Sequence, residues 1–290
     1  MRAPLIAGDR VLVTGASGFL GRNLVDRLRQ LGCDVVPIGR AQGFDLLTDR
    51  LALDGVRHVF HLAGETGVLD AWSDPSRFHL VNAHGTVRVL EQCREADVSL
   101  TYVGAYIYGI PERLPIDESH PVRPNNPYAF SKWMGEEACR WYASTYDMSI
   151  TAIRLFNVYG PGQSNRFLIT RIVDQLMDPA VESIELMDLA PRRDYLFVDD
   201  AIDAFVAAMP ERGFRVLNVG QGQSWSVSEV VRIAMDVLGV QKPVVDKGNA
   251  RPNEIPDVVA DCSAMRDYCG WMPRRDLQTG IATWLKESVG

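Results

Sequence analysis

Three stretches of this 290-residue chain carry residues whose types and spacing could do chemistry. The first is Thr14-Gly15-Ala16-Ser17-Gly18-Phe19-Leu20-Gly21, with glycines three residues apart. Gly15 would allow a tight turn, Gly18 would let the backbone approach a pyrophosphate, and Gly21 would let a following helix pack closely. The free N–H groups at the start of that helix, at Phe19 and Leu20, would face the anion. About twenty residues further on, where a carboxylate would bind the ribose of NAD(H), the sequence reads Ile38-Gly39-Arg40. Asp34 lies at the wrong end of that strand, and a guanidinium at position 40 suits a 2′-phosphate. NADP(H) is therefore favoured, with NAD(H) as the alternative; the competing reading of Arg40 is a solvated surface charge. The third stretch is Tyr128-Ala129-Phe130-Ser131-Lys132. At i and i+4 on a helix the phenol and the ammonium share a face. The ammonium would lower the phenol toward neutrality and make Tyr128 a general acid or base for a carbonyl/alcohol pair. Taken alone, the pair is also an ordinary feature of an amphipathic helix.

These residues need a strand–turn–helix unit to position them, and the sequence supplies one. Arg10–Thr14 is a short aliphatic run, and Phe19, Leu20, Leu24, Val25, Leu28 and Leu31 follow with helical periodicity. The alternation continues with a strand over 35–38, at most one short helix around 48–53, a strand over 56–62, a helix over about 72–93 and a strand over 99–103. A helix over about 127–146 and a strand over 149–155 complete it. Strands separated by helices predict right-handed crossovers and a parallel sheet: an α/β, Rossmann-type, doubly wound fold. Beyond Gly160 the rhythm loosens, although Ser226-Val227-Ser228-Glu229 reads as a capping box ahead of a helix to Leu238. The expected division is a dinucleotide-binding domain over 1–160 and a smaller mixed α/β substrate lobe over 161–290, with some chain crossing between them.

Composition narrows the partners. Thirty basic against 37 acidic side chains give a net charge of −7, the wrong sign for nucleic acid but compatible with a local phosphate pocket. With 47% hydrophobic and 23% charged residues, the chain has ample material for a core. Five scattered cysteines without a C-x-x-C pair predict neither a disulfide framework nor a metal site, and fit reduced thiols in a cytoplasm. No apolar run reaches the length of a membrane span, and the early first strand leaves no room for a signal peptide.

Together the glycine turn and the Tyr128/Lys132 pair, in this order, resemble the extended short-chain dehydrogenase/reductase family, specifically its nucleotide-sugar epimerases, dehydratases and reductases. The resemblance covers nearly the whole chain. It extends to His61-Leu62-Ala63-Gly64, Asn82 before Gly85-Thr86, Tyr108-Gly109, Asn125-Asn126-Pro127-Tyr128, 154–162 from Arg154 to Gly162, Arg193-Asp194-Tyr195 and Arg251-Pro252-Asn253-Glu254. It implies that Leu62, Ala63, Gly64, Asn82 and Leu155 line the cofactor site, that Asp45 and Leu46 hold the adenine, and that Asn157, Arg193 and Arg251 face the diphosphate of a sugar nucleotide. Two arginines and an amide would suit two phosphate charges. Structural readings compete: a salt bridge for either arginine, a loop cap for Asn157.

One position departs from the family pattern. Where members carry Ser or Thr four residues before the tyrosine of the Tyr-Gly pair, this chain has Gly104, so the hydroxyl that would contact the reacting sugar oxygen is missing. A water, Tyr106 or Thr66 would have to replace it, or activity is lowered or lost. Ala105-Tyr106 follow, in place of the Asp-Glu of 4,6-dehydratases, which argues against that reaction. The compact length, the short crossover, Arg40 and Gly160-Pro161-Gly162-Gln163 look most like GDP-4-keto-6-deoxymannose reductases. The alternatives are a 4-epimerase and, because of Gly104, a non-catalytic NADP sensor. The helix bearing Tyr128 also presents Trp133, Met134, Cys139, Trp141 and Tyr142, which is read either as core or as the two-fold interface of a homodimer.

Overall fold

The computed structural model describes residues 5–249 and 254–289, without the side chains of 286–289. β1 (Arg10–Thr14), β3 (His58–His61), β4 (Ser99–Val103) and β5 (Ile150–Leu155) are buried along almost their whole length. Such runs suit a parallel sheet covered on both faces. With β2 (Asp34–Ile38) and β9 (Phe214–Val219) they form six parallel strands in the order β2-β1-β3-β4-β5-β9. The order changes direction at β1, which has β2 on one side and β3 on the other; in open α/β sheets ligands bind beyond the strand ends at such a point.

Alternate residues of the strands feed two cores. Leu12, Val59, Leu100 and Ile150 pack under α4 (Gly85–Glu95) and α5 (Pro127–Tyr146), with Leu90, Cys139 and Ala143. Val11, Val13 and Ile153 face the other way, onto α1 (Phe19–Gln30) and α7 (Val198–Ala207). That second core runs on into the C-terminal lobe. The lobe contains a three-stranded sheet of β10 (Ser224–Ser226), β8 (Arg192–Phe197) and β6 (Asn157–Tyr159), and a pair of β7 (Ile184–Leu186) with β11 (Val244–Asp246). Around them lie α6 (Leu168–Met177), α8 (Val227–Leu238), α9 (Ser263–Cys269) and α10 (Leu277–Val289). The expected capping box starts α8, with Ser226 and Glu229 each accepting the other's main-chain N–H.

One expectation is corrected and two open ones are resolved. The helix foreseen over 72–93 is broken into α2 (Val68–Ser73), α3 (Pro75–Phe78), a π-helical stretch over 79–84, and α4. Pro75 has no N–H to continue α2, and Asp74 instead caps α3 by accepting from Arg77 N. No helix forms over 48–53. There Asp45 and Asp49 turn the chain with their own side chains, while Arg88 and Gln92 of α4 hold the carbonyls of Leu46 and Asp49 and the N–H of Leu51. Finally, Cys139 and Tyr142 belong to the core, leaving Met134 and Trp141 exposed on α5. No helix among the described residues is long and apolar enough to cross a membrane.

Candidate active site

The carboxyl ends of the parallel strands open into a cavity of about 720 Å³. Gly15, Gly18, Phe19, Leu20 and Gly21 line one side, and Leu62, Ala63, Gly64, Gly104, Tyr128, Lys132 and Leu155 line another. Its glycine turn is a cradle that side chains would fill. At Gly15 (φ +71°) a Cβ would stand 2.7 Å from the N of Ala63, and at Gly21 it would stand 2.1 Å from the O of Gly15. Gly18 is the N-cap of α1 and supplies no side-chain cap, so the first-turn N–H groups are available to an anion. The turn therefore fits a dinucleotide's pyrophosphate.

The opposite wall is held by a directional hydrogen-bond chain. Thr86 donates to the O of Asn82 (2.6 Å), so it accepts from His61 Nε2 (3.1 Å). His61 Nδ1 then accepts from Thr14 (2.7 Å), whose Oγ1 accepts the N–H of Ala63 (3.2 Å). Burial and the charge of Lys132 keep this imidazole neutral, lowered to about 3. Asn82 stands behind the wall: its amide accepts from Glu65 N (2.7 Å) and donates to Glu65 O (3.1 Å) and Ser131 Oγ (2.9 Å). It positions the Gly64–Glu65 turn.

At the β2 end, Asp45 and Leu46 line the cavity, with Asp45 exposed. Arg40 also lines it, with a side chain 77% exposed whose Nη1 lies 3.4 Å from Glu65 Oε1. Arg77 shares that carboxylate at 3.0 Å. Arg77 and Glu65 went unnoticed in the sequence; their pairing depends on which loops the sheet brings together.

Asn126 starts α5 by accepting from Ala129 N (2.8 Å), and Pro127 occupies the first turn, where no N–H is needed. This places Tyr128 and Lys132 in the cavity. Lys132, 6% exposed, donates from Nζ to the O of Val103 (2.7 Å) and sits 4.7 Å over the Tyr102 ring. Desolvation lowers its ammonium to about 8. The expected lowering of the Tyr128 phenol is not found: burial, with a smaller contribution from Tyr106, pushes it up to about 12. The ammonium serves a main-chain carbonyl, and loss of water sets the phenol's acidity.

Gly104 is not an empty place for a hydroxyl. Its N–H donates to the O of Ile153 (2.8 Å), and an added Cβ would stand 2.9 Å from that oxygen and 3.3 Å from Tyr102. Thr66, exposed at the cavity's edge, and Tyr106, stacked on Phe156 with ring centroids 5.4 Å apart, are the substitutes foreseen, and both line the cavity.

Asn157 links this cavity to a second one of about 240 Å³ in the lobe, also lined by Arg166, Arg171 and Arg193. Asn157 donates to the O of Asp194 (3.3 Å). Arg193 is largely buried, paired with Glu254 and bonded to the O of Ile255 (2.6 Å), so it is at once a salt-bridge residue and part of the wall. Arg251 lies outside the described residues. Among the described residues no group of three or more metal-ligating side chains occurs.

A family model described as "NAD dependent epimerase/dehydratase family" matches residues 11–220. The UDP-glucose 4-epimerase of Mycolicibacterium smegmatis is 33% identical over 94% of this chain and 96% of its own length. The GDP-6-deoxy-D-mannose reductase of Pseudomonas aeruginosa is 29% identical over 96% and 97%. Among solved structures, MoeE5 in complex with UDP-glucose and NAD superposes with a TM-score of 0.87 at 30% identity, covering 98% of this chain and 100% of that one. RMD from Pseudomonas aeruginosa complexed with NADPH also gives 0.87, at 28% identity, covering 96% and 98%.

Proposed function

Because this chain belongs to the NAD dependent epimerase/dehydratase family, we propose that it is an NAD(P)-dependent enzyme of nucleotide-activated sugars that reduces a 4-keto-6-deoxyhexose. The observation that carries this reading is that a glycine-walled helix N-terminus and the Tyr128/Lys132 pair line one cavity. Gly15, Gly18 and Gly21 would hold the pyrophosphate, Asp45 and Leu46 the adenosine, and Arg40 a 2′-phosphate. A bound nicotinamide supplies the hydride. Tyr128, kept protonated by burial, donates its proton to the sugar oxygen as that oxygen gains charge, and Lys132 stabilises the phenolate that results. Tyr106 or Thr66 offers the second hydroxyl, and Asn157 with Arg193 and Arg251 receives the diphosphate. Ala105-Tyr106 provide no acid/base pair for a 4,6-dehydration.

A 4-epimerase using retained NAD is the second reading, favoured by the relative at 33% identity. One experiment separates them: mass spectrometry of the dinucleotide that co-purifies, followed by incubation of NADPH with GDP-4-keto-6-deoxymannose, read at 340 nm, and of UDP-glucose alone, read as UDP-galactose. NADPH oxidation supports the reductase. Interconversion with retained NAD supports the epimerase and refutes it. The free cysteines fit a cytoplasmic setting. Exposed Phe130, Met134 and Trp141 on α5, with exposed Leu69 and Trp72 on the adjacent α2, suit pairing with a second copy.

A further inference from the structure

Glu65 occupies an unusual place. Its Oε1 accepts from Nε and Nη2 of Arg77, at 3.1 and 3.0 Å, and lies 3.4 Å from Nη1 of Arg40. Arg40 follows β2 and Glu65 follows β3, while β1, which carries the glycine turn, lies between those strands. Neighbouring strands are about 4.8 Å apart, so the contact crosses roughly 10 Å of sheet, over the cradle. All three side chains line the same cavity as Gly18.

Glu65 is the member with the anchored main chain. Both main-chain polar groups of Glu65 are held by the amide of Asn82, which is 1% exposed and itself tied to Ser131, the residue before Lys132. The arginines are long and at least half exposed, at 77% and 50%. Any anion entering the cradle therefore meets two guanidinium groups already facing a carboxylate whose main chain is anchored.

We propose that Glu65 is a specificity-determining residue for the cofactor: it holds Arg40 and Arg77 across the dinucleotide cradle and limits how strongly a 2′-phosphate is preferred over a 2′-hydroxyl. This rests on the reading that the cavity takes NAD(P) with its adenosine at the β2 end. A 2′-phosphate carries close to two charges and competes with a carboxylate for Arg40; a hydroxyl does not. With NAD, Arg40 stays on Glu65. With NADP it must leave, and that exchange subtracts from the gain.

The test is the dissociation constants of NADP⁺ and NAD⁺, by calorimetry at fixed ionic strength, for the full chain and its variants. Glu65→Gln keeps the shape and removes the charge; NADP⁺ should bind roughly tenfold tighter and NAD⁺ less than about threefold tighter. Arg77→Ala should move the ratio the other way, since Glu65 then acts on Arg40 alone. In an Arg40→Ala background the Glu65→Gln effect on the ratio should vanish. A ratio unchanged within about twofold in both single variants, or a Glu65→Gln effect that survives without Arg40, overturns the proposal. If the wild-type chain binds neither dinucleotide, the dinucleotide reading itself falls and the proposal with it, an outcome distinct from binding without a change in ratio.

Discussion

Replacing Gly104 by serine should cost stability and fail to raise turnover, although a serine there would match the family pattern. The glycine closes the β4–β5 ladder, with its N–H on the O of Ile153 at 2.8 Å. Its backbone is not left-handed, so the obstacle is contact: a Cβ would stand 2.9 Å from the same oxygen and 3.3 Å from the Tyr102 ring. Even weak C–H···O contacts stop at about 3.3 Å, so β4 and β5 must part by a few tenths of an ångström or the ring must move. Tyr102 has little room to move, because its hydroxyl donates to the O of Lys132 (2.9 Å) and its ring packs under the Lys132 ammonium. Overpacking of this kind costs about 1–3 kcal/mol, which for a domain of this size is about 2–12 °C in Tm. The displacement passes to the helix that carries Tyr128, where misplacement by a fraction of an ångström should lower kcat by roughly tenfold. Steady-state kinetics on the substrate that the wild-type enzyme turns over, together with a circular-dichroism melt, provide the check. A tenfold or larger rise in kcat at unchanged Tm would refute the argument and show that a hydroxyl was simply missing.

Three other outcomes are expected. Tyr128→Phe should lower kcat by about 10²–10⁴-fold while dinucleotide affinity, measured by calorimetry, stays within a few-fold; a near wild-type rate would remove Tyr128 as the proton donor. Arg40→Asp should weaken NADP⁺ binding by about 1.5–3 kcal/mol without weakening NAD⁺ binding, whereas NADP⁺ affinity unchanged from wild type would make Arg40 a surface charge. His61 is lowered to about 3 in the fold against about 6.5 in the unfolded chain. The unfolded state thus takes up a proton first, and His61's contribution, present in full above pH 6.5, is lost toward pH 3 at about 1.4 kcal/mol per unit. Urea titrations between pH 7.5 and 4.5 should show a shallower slope for His61→Gln, and an imidazolium signal for His61 in folded protein at pH 6 would contradict the assignment.

The Rossmann strands were legible because most are short, largely apolar runs set between helical patterns, and α5 because Asn126-Pro127 starts a helix so distinctly that its predicted span, 127–146, is the observed one. The cradle was legible for a similar reason: three glycines in one turn encode their own geometry. What failed depended on contacts distant in sequence. Helical periodicity continues through 72–93, but Pro75 and the π-helical stretch break the helix. The spacing of Tyr128 and Lys132 put them in one cavity, yet the phenol's acidity is set by the walls around it. Gly104 was visibly a missing hydroxyl; that the O of Ile153 fills the place follows from strand register. Arg40 was noticed as a charge, but its partner Glu65 comes from a loop two strands away.

The position of β9 has a consequence for how the chain is made. β5 is complete at Leu155, but its neighbour on the outer side, Phe214–Val219, emerges only after residues 156–213. At about 5–20 residues per second, a nascent chain would carry β5 as a bare, largely apolar edge for roughly 3–12 s. Unpaired edges of this kind are templates for association with other chains. Most of the C-terminal three-stranded sheet and α6 are synthesised in that interval, so the six-stranded sheet cannot be completed before that second sheet has begun. A fragment ending near residue 160 would therefore keep that β5 edge unpaired and should associate with other chains where the full chain does not.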